Sequence, residues 1–75
     1  MKLLVGHDED GNFFVIPINN REMVFNTIKK DFIDIFCDSD YSELDNIDSL
    51  DTDEYEDFIH TFVARGRMEI VEFNV

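Results

Sequence analysis

Residues 3–16 read LLVGHDEDGNFFVI, two apolar runs on either side of a polar stretch that suits neither a strand nor a helix. Leu3-Leu4-Val5 and Phe13-Phe14-Val15-Ile16 are short and rich in residues that pack well on a pleated surface. Between them, Asp8-Glu9-Asp10-Gly11-Asn12 carries turn chemistry. Asp and Asn side chains bond nearby backbone amides, and Gly11 is free to take positive φ. The pattern predicts a β-hairpin. Pro17 follows at once and, lacking an amide donor, must end the second strand or lie on a sheet edge.

Beyond the hairpin the apolar period becomes helical. Asn19 reads as an N-cap, with Glu22 in the capping-box position and Ile18 and Met23 as a hydrophobic staple. Phe25, Ile28, Phe32, Ile35 and Phe36, widened by Val24 and Ile33, predict one helix over about residues 20–37. A second helix begins at Asp51 or Thr52, where Asp53, Glu54, Glu56 and Asp57 suit its positive end. Tyr55, Phe58, Ile59, Phe62 and Val63 form its apolar stripe, Arg65 suits its last turn, and Gly66 is the expected C′ residue. Met68–Phe73 reads as a strand whose apolar phase slips between Ile70 and Val71, as a bulge or burial on both faces would produce.

The order is ββααβ, which predicts a single α+β domain over residues 1–75. The simplest way to bury every stripe is a three-stranded, mostly antiparallel sheet with two helices packed on one face. If the helices run up and down, the last strand lies antiparallel to the second and parallel to the first; its pairing partner stays open. Residues 38–51 join the helices with an apolar residue at every third position: Tyr41, Leu44, Ile47 and Leu50. Strict period three fits short 3₁₀ turns or an irregular connection pinned to the core by those side chains.

Charge is the second strong signal. The chain has a formal net charge of −12, and 44% of its residues are hydrophobic, so it is acidic and core-forming together. No Lys or Arg occurs between Lys30 and Arg65, yet that interval holds twelve of the eighteen acids: Asp31, Asp34, Asp38, Asp40, Glu43, Asp45, Asp48, Asp51, Asp53, Glu54, Glu56 and Asp57. Self-repulsion of such a block opposes compaction, which points to a role outside stability. Nucleic acid and anionic membranes would repel the chain, because both are bound through Lys and Arg. Its natural partners are cations or basic protein surfaces. One cysteine, Cys37, excludes an internal disulfide and fits a reducing compartment. The first apolar run, broken by Gly6-His7-Asp8, is too short for a signal peptide, so a cytoplasmic protein is expected.

Catalytic chemistry finds little footing. There is no nucleophile–base spacing, no phosphate-binding glycine loop, and only two histidines. Asp38-Ser39-Asp40-Tyr41-Ser42 starts like a calcium loop, but Glu43 stands where glycine belongs and Ser49 where the bidentate Glu belongs. His7, Asp8, Asp10 and Asn12 could gather oxygen ligands, but a hairpin turn explains the same residues. His60 follows Glu56 by four residues and predicts a local ion pair. Cys37 reads as a small core or boundary residue. Neither a cofactor nor a metal is expected, and the chain is expected not to be an enzyme.

The acid block therefore reads as an interaction surface. Asp31, Asp34 and Asp38 repeat along one helix flank, and with Asp45, Asp48 and Asp51 they form a phosphate-like array. Asp40, Glu43 and Asp53 add to it, and Tyr41 and Tyr55 are candidate aromatic anchors, core packing being the other reading of Tyr55. Small acidic α/β chains of this size and charge resemble the inhibitors phages make against host DNA-handling machinery: anti-restriction proteins, anti-CRISPR proteins and uracil-DNA glycosylase inhibitors. That resemblance implies a nucleic-acid mimic whose partner is a basic nucleic-acid-binding enzyme or complex. Alternatives are an antitoxin or immunity protein against a basic nuclease, or a small regulatory adaptor using a sheet edge or apolar patch.

Overall fold

A computed structural model describes residues 1–8, 10–66 and 68–73. Two strands, β1 (Lys2–His7) and β2 (Phe13–Pro17), form the antiparallel hairpin, with Val5 opposite Val15. Asp8 organises the turn: its Oδ1 accepts from the amides of Asp10 (3.0 Å) and Asn12 (2.8 Å). Gly11 has φ of 84°, the left-handed conformation that favours glycine. Glu9, part of the expected turn, lies outside the described residues. Pro17 ends β2, which is an edge strand.

The first helical region departs from the expected single helix over residues 20–37. Asn20, not Asn19, is the N-cap: its side chain accepts from the Met23 amide at 3.2 Å. Glu22 is therefore not at the capping-box position, and Met23 is exposed, outside any staple. Helix α1 (Arg21–Asp31) stops at Phe32, whose backbone (φ −129°, ψ 38°) leaves the helical region, and a short α2 (Ile33–Cys37) follows. Residues 32–36 are mostly aromatic and β-branched and hold a straight helix weakly. The break lets Phe32 meet Phe14 of the sheet (ring centroids 6.3 Å) while Phe36 stacks on Phe62 (6.1 Å). Cys37, expected at the core or its boundary, is exposed.

Helix α3 (Thr52–Arg65) is capped by Asp51 in a full capping box: the Asp51 side chain accepts from the Glu54 amide at 2.8 Å, and Glu54 accepts from the Asp51 amide at 3.2 Å. It buries Tyr55, Phe58, Ile59 and Phe62, the expected stripe. Gly66 follows it, but with φ −108° it is extended rather than left-handed. Glycine is needed there for closeness: a Cβ would sit 2.9 Å from the Phe62 carbonyl oxygen and 3.1 Å from Met68 Cε.

The third strand, β3 (Met68–Glu72), pairs antiparallel with β1, giving the sheet order β2-β1-β3. This reverses the expected orientation, and the residues between the helices explain why. Arg21, at the start of α1, donates from Nη1 to the Leu50 carbonyl (2.6 Å), and its guanidinium lies 4.5 Å from the Tyr55 ring centroid near the start of α3. At the other end, Phe32 approaches Gly66. So α1 and α3 run the same way, and residues 38–50 are a full return traverse between them. That extra traverse delivers β3 antiparallel to β1.

The connector matches its period-three reading. A 3₁₀ turn spans Ile47–Ser49, Ile47 is buried, and Tyr41, Leu44 and Leu50 are half-buried against the core. The core lies between the helices and one sheet face, where Leu4, Ile16 and Met68 meet Val24, Phe25, Ile28, Phe58 and Phe62. The phase slip at Ile70 and Val71 is no bulge. The β1–β3 register runs unbroken through both, one side chain on each face, each half-buried.

Candidate functional site

The return traverse folds the acid block back upon itself. Asp38, the C-cap of α2, meets Arg65 at the end of α3 (3.5 Å). Tyr41 stands edge-on to Phe58 near the middle of α3 (ring centroids 5.0 Å), and Asp51 begins α3. Residues 38–50 therefore run antiparallel along α3. Their acids Asp38, Asp40, Glu43, Asp45 and Asp48 are exposed, as are Asp53, Glu54 and Asp57 of α3, and the charges of Asp40, Glu54 and Asp57 meet around Tyr41. Because α3 has 14 residues, this acidic ridge is about 21 Å long, the α3 acids occupying about 6 Å of it near the N-terminal end of the helix. Tyr41 reaches α3 and Ile47 reaches α1, so the ridge lies over the seam between the helices, with the sheet on their other side.

The expected ladder of Asp31, Asp34 and Asp38 on one helix flank is not formed. The break at Phe32 separates Asp31, half-buried at the end of α1, from Asp34 on α2. The other acids of the block are exposed. What the structure assembles instead surrounds Tyr41: burial raises its pKa, and the charges of Asp57, Asp40 and Glu54 raise it further. Asp57 and Glu54 were not among the expected contact residues. Both join the ridge because Tyr41 docks on the α3 turn that carries Phe58, a long-range contact with no local sequence signal. Tyr55, considered as an anchor, is a core residue at 4% exposure, and its hydroxyl donates to the Ile18 carbonyl at 2.5 Å.

Almost nothing neutralises the ridge. Among the described residues Arg65–Asp38 is the one ion pair within 4 Å, and both partners are exposed. The Glu56–His60 pair expected from their spacing is not made. Two other cations lie over aromatic rings: Arg21 over Tyr55, and Lys29 5.0 Å from the Phe25 centroid. In the hairpin turn, the Asp8 carboxylate is already engaged by two backbone amides. Among the described residues no three His, Cys, Asp or Glu side chains gather as a metal ion would require. No helix among them is long and apolar enough to cross a membrane.

Comparison with protein-family models, with curated proteins and with solved structures finds no match to this chain.

Proposed function

We propose that the chain is a non-enzymatic inhibitor that imitates nucleic acid, its acidic ridge occupying the basic cleft of a DNA- or RNA-binding protein. The observation that carries this reading is the scarcity of internal compensation: the carboxylates of the ridge are exposed, and among the described residues only Asp38 has an ion-pair partner. Asp38, Asp40, Glu43, Asp45, Asp48, Asp51, Asp53, Glu54 and Asp57 along about 21 Å average roughly one charge per 2.3 Å, between the 1.7 Å spacing of duplex B-DNA and the 3.4 Å of one strand. A groove built to release counterions from phosphates would take up such a ridge by the same electrostatics. Long-range attraction of this kind gives fast association that weakens steeply with salt. Tyr41, half-buried in the middle of the ridge, supplies an aromatic edge for local contact. Enzymes that handle nucleic acid in host defence present clefts of the matching chemistry.

The test has two parts. The immobilised chain is used to capture proteins from a lysate, and bound material is eluted with a salt step; the eluate should hold nucleic-acid-binding proteins that duplex DNA displaces from the chain. The variant carrying Asp40→Lys, Asp45→Lys, Asp48→Lys and Asp57→Lys should capture none of them. Affinity that is the same at about 50 and 500 mM salt would sink the reading, as would undiminished capture by the reversed variant.

A further inference from the structure

The sheet has a second face that no helix covers. By the strand register, Met1, Leu3, Val5 and His7 of the central strand lie on the same side as Phe13, Val15 and Pro17 of β2 and Glu69, Val71 and Phe73 of β3. Leu4, Ile16 and Ile70 point the other way, into the core. On the open side Met1 is 66% exposed, Phe13 64%, Phe73 56% and Val15 49%. The clamp between Met1 and Phe73, each bonding the other's backbone (2.9 and 2.7 Å), holds two of these side chains at one end of the sheet. Val5 is buried yet stands outside the helix-side core cluster, sheltered by its own sheet neighbours. The continuous apolar runs of β1 and β2 are what strands covered on both faces look like.

We propose that a second copy of this chain covers this face, in a two-fold dimer with sheets packed face to face and acidic ridges outward. Three observations favour a second copy over another partner. Charge is the first: His7 and Glu69 are the only ionisable side chains among the described residues on this face, so it offers a basic partner nothing that the ridge does not offer better. An equally charge-poor apolar face is its natural complement. Geometry is the second. Two chains of −12 repel, and they can approach only where their acids are far apart. The open face meets that condition for the ridge acids, since the helices stand between, and Glu69 is the one carboxylate among the described strand residues on it. Area is the third: the exposed apolar side chains present roughly 450 Å², in the middle of the range for a monomer's largest patch, a size that often marks a contact surface. Two such patches with their rims would bury about 1,000–1,200 Å², the lower bound of specific interfaces, which fits a dimer of modest affinity. Sheets stacked this way sit about 10 Å apart, close enough for Phe13 and Phe73, at opposite corners, to close over the Val5–Val15 centre.

The test is sedimentation equilibrium of the full chain from roughly 1 to 300 µM, at about 0.15 and 1 M sodium chloride. A concentration-dependent dimer that tightens with salt is expected, because salt screens the repulsion and leaves the apolar contact intact. Phe13→Thr with Val15→Lys should weaken it by at least roughly tenfold. Both positions are exposed on an edge strand, and an unchanged melting temperature would verify folding. Phe73→Ser, at the opposite corner, should weaken the dimer independently. Asp45→Lys with Asp48→Lys, on the ridge, should leave it unchanged or tighter. A monomer throughout the range overturns the proposal, as does a dimer indifferent to the sheet-face variants or lost only in the ridge variant.

Discussion

The Tyr41 ring stands edge-on to Phe58, centroids 5.0 Å apart and planes at 82°, and this contact fastens the middle of the connector to the middle of α3. Phe58 itself is fully buried, so the connector rests on the hub of the core. Tyr41→Ala should cost about 2–3 kcal/mol, the aromatic pair contributing beyond its buried area. Tyr41→Phe keeps the contact and should stay within about 0.5 kcal/mol. Urea unfolding of the two variants separates ring from hydroxyl. Amide exchange should speed up selectively between Ser39 and Leu44 in the alanine variant.

Tyr55 predicts an alkaline transition. Burial pushes its pKa from 10.0 up to about 12, against the opposing pull of the Arg21 guanidinium. The folded state thus holds the proton more tightly than the unfolded chain. That stability is fully present below pH 10 and is lost as pH rises through about 12, amounting to about 3 kcal/mol. Tyr41, also shifted upward, adds in the same direction. Thermal melts from pH 8 to 12 should therefore fall steeply above pH 10, with tyrosinate absorbance appearing late. Tyr55→Phe should flatten that fall while costing about 1–2 kcal/mol at neutral pH through the lost bond to the Ile18 carbonyl. A melting temperature level to pH 12 in the native chain would refute this.

Gly66 is held by proximity. An added Cβ would lie 2.9 Å from the Phe62 carbonyl oxygen, a backbone atom that cannot swing aside, and 3.1 Å from the mobile end of Met68. Gly66→Ala should destabilise by about 1–3 kcal/mol. Met68 is a core residue, so the comparison is made in a Met68→Ala background, where Gly66→Ala meets only the harder of the two clashes and should keep most of its cost. If Gly66→Ala costs nothing in that background, the strain lies at Met68 instead.

What was legible in the sequence was whatever short-range pattern determines. The hairpin followed from two apolar runs and an Asp-Gly-Asn turn, and α3 from a capping box and an unbroken stripe. The break at Phe32 was not legible, because Phe25, Ile28, Phe32 and Phe36 keep helical spacing across it. Their different partners, Phe14 on the sheet and Phe62 on α3, set the kink. The direction of β3 depends on the connector's return path, which is fixed by Arg21–Leu50 and Asp38–Arg65, contacts 29 and 27 residues apart. Period three shows that Leu44 and Ile47 dip inward but carries no direction. For the site, the acids could be counted in advance, while the meeting of Asp40, Glu54 and Asp57 around Tyr41 needed the position of Tyr41 on α3. The open sheet face had a local sign in the slip at Ile70 and Val71, where both neighbours are apolar.

The acid ridge has a thermodynamic consequence that binding studies do not touch. With one exposed ion pair among the described residues, the carboxylates repel one another more in the folded chain than in the expanded one. Salt shortens the Debye length from about 30 Å at 0.01 M to about 3 Å at 1 M, so it should relieve the folded state preferentially. Raising sodium chloride over that range should stabilise by about 1–2 kcal/mol, seen as a rise in melting temperature of roughly 5–15 °C for a domain this small. Sodium chloride is the right salt, because sulfate would strengthen apolar burial by itself and hide the cause. Asp45→Asn with Asp48→Asn supplies the control. Removing two ridge charges should raise the low-salt melting temperature and shrink the further gain from salt. If the melting temperature stays flat or falls with chloride, the acids are compensated within the fold, and the ridge is no longer charge held in reserve for a partner.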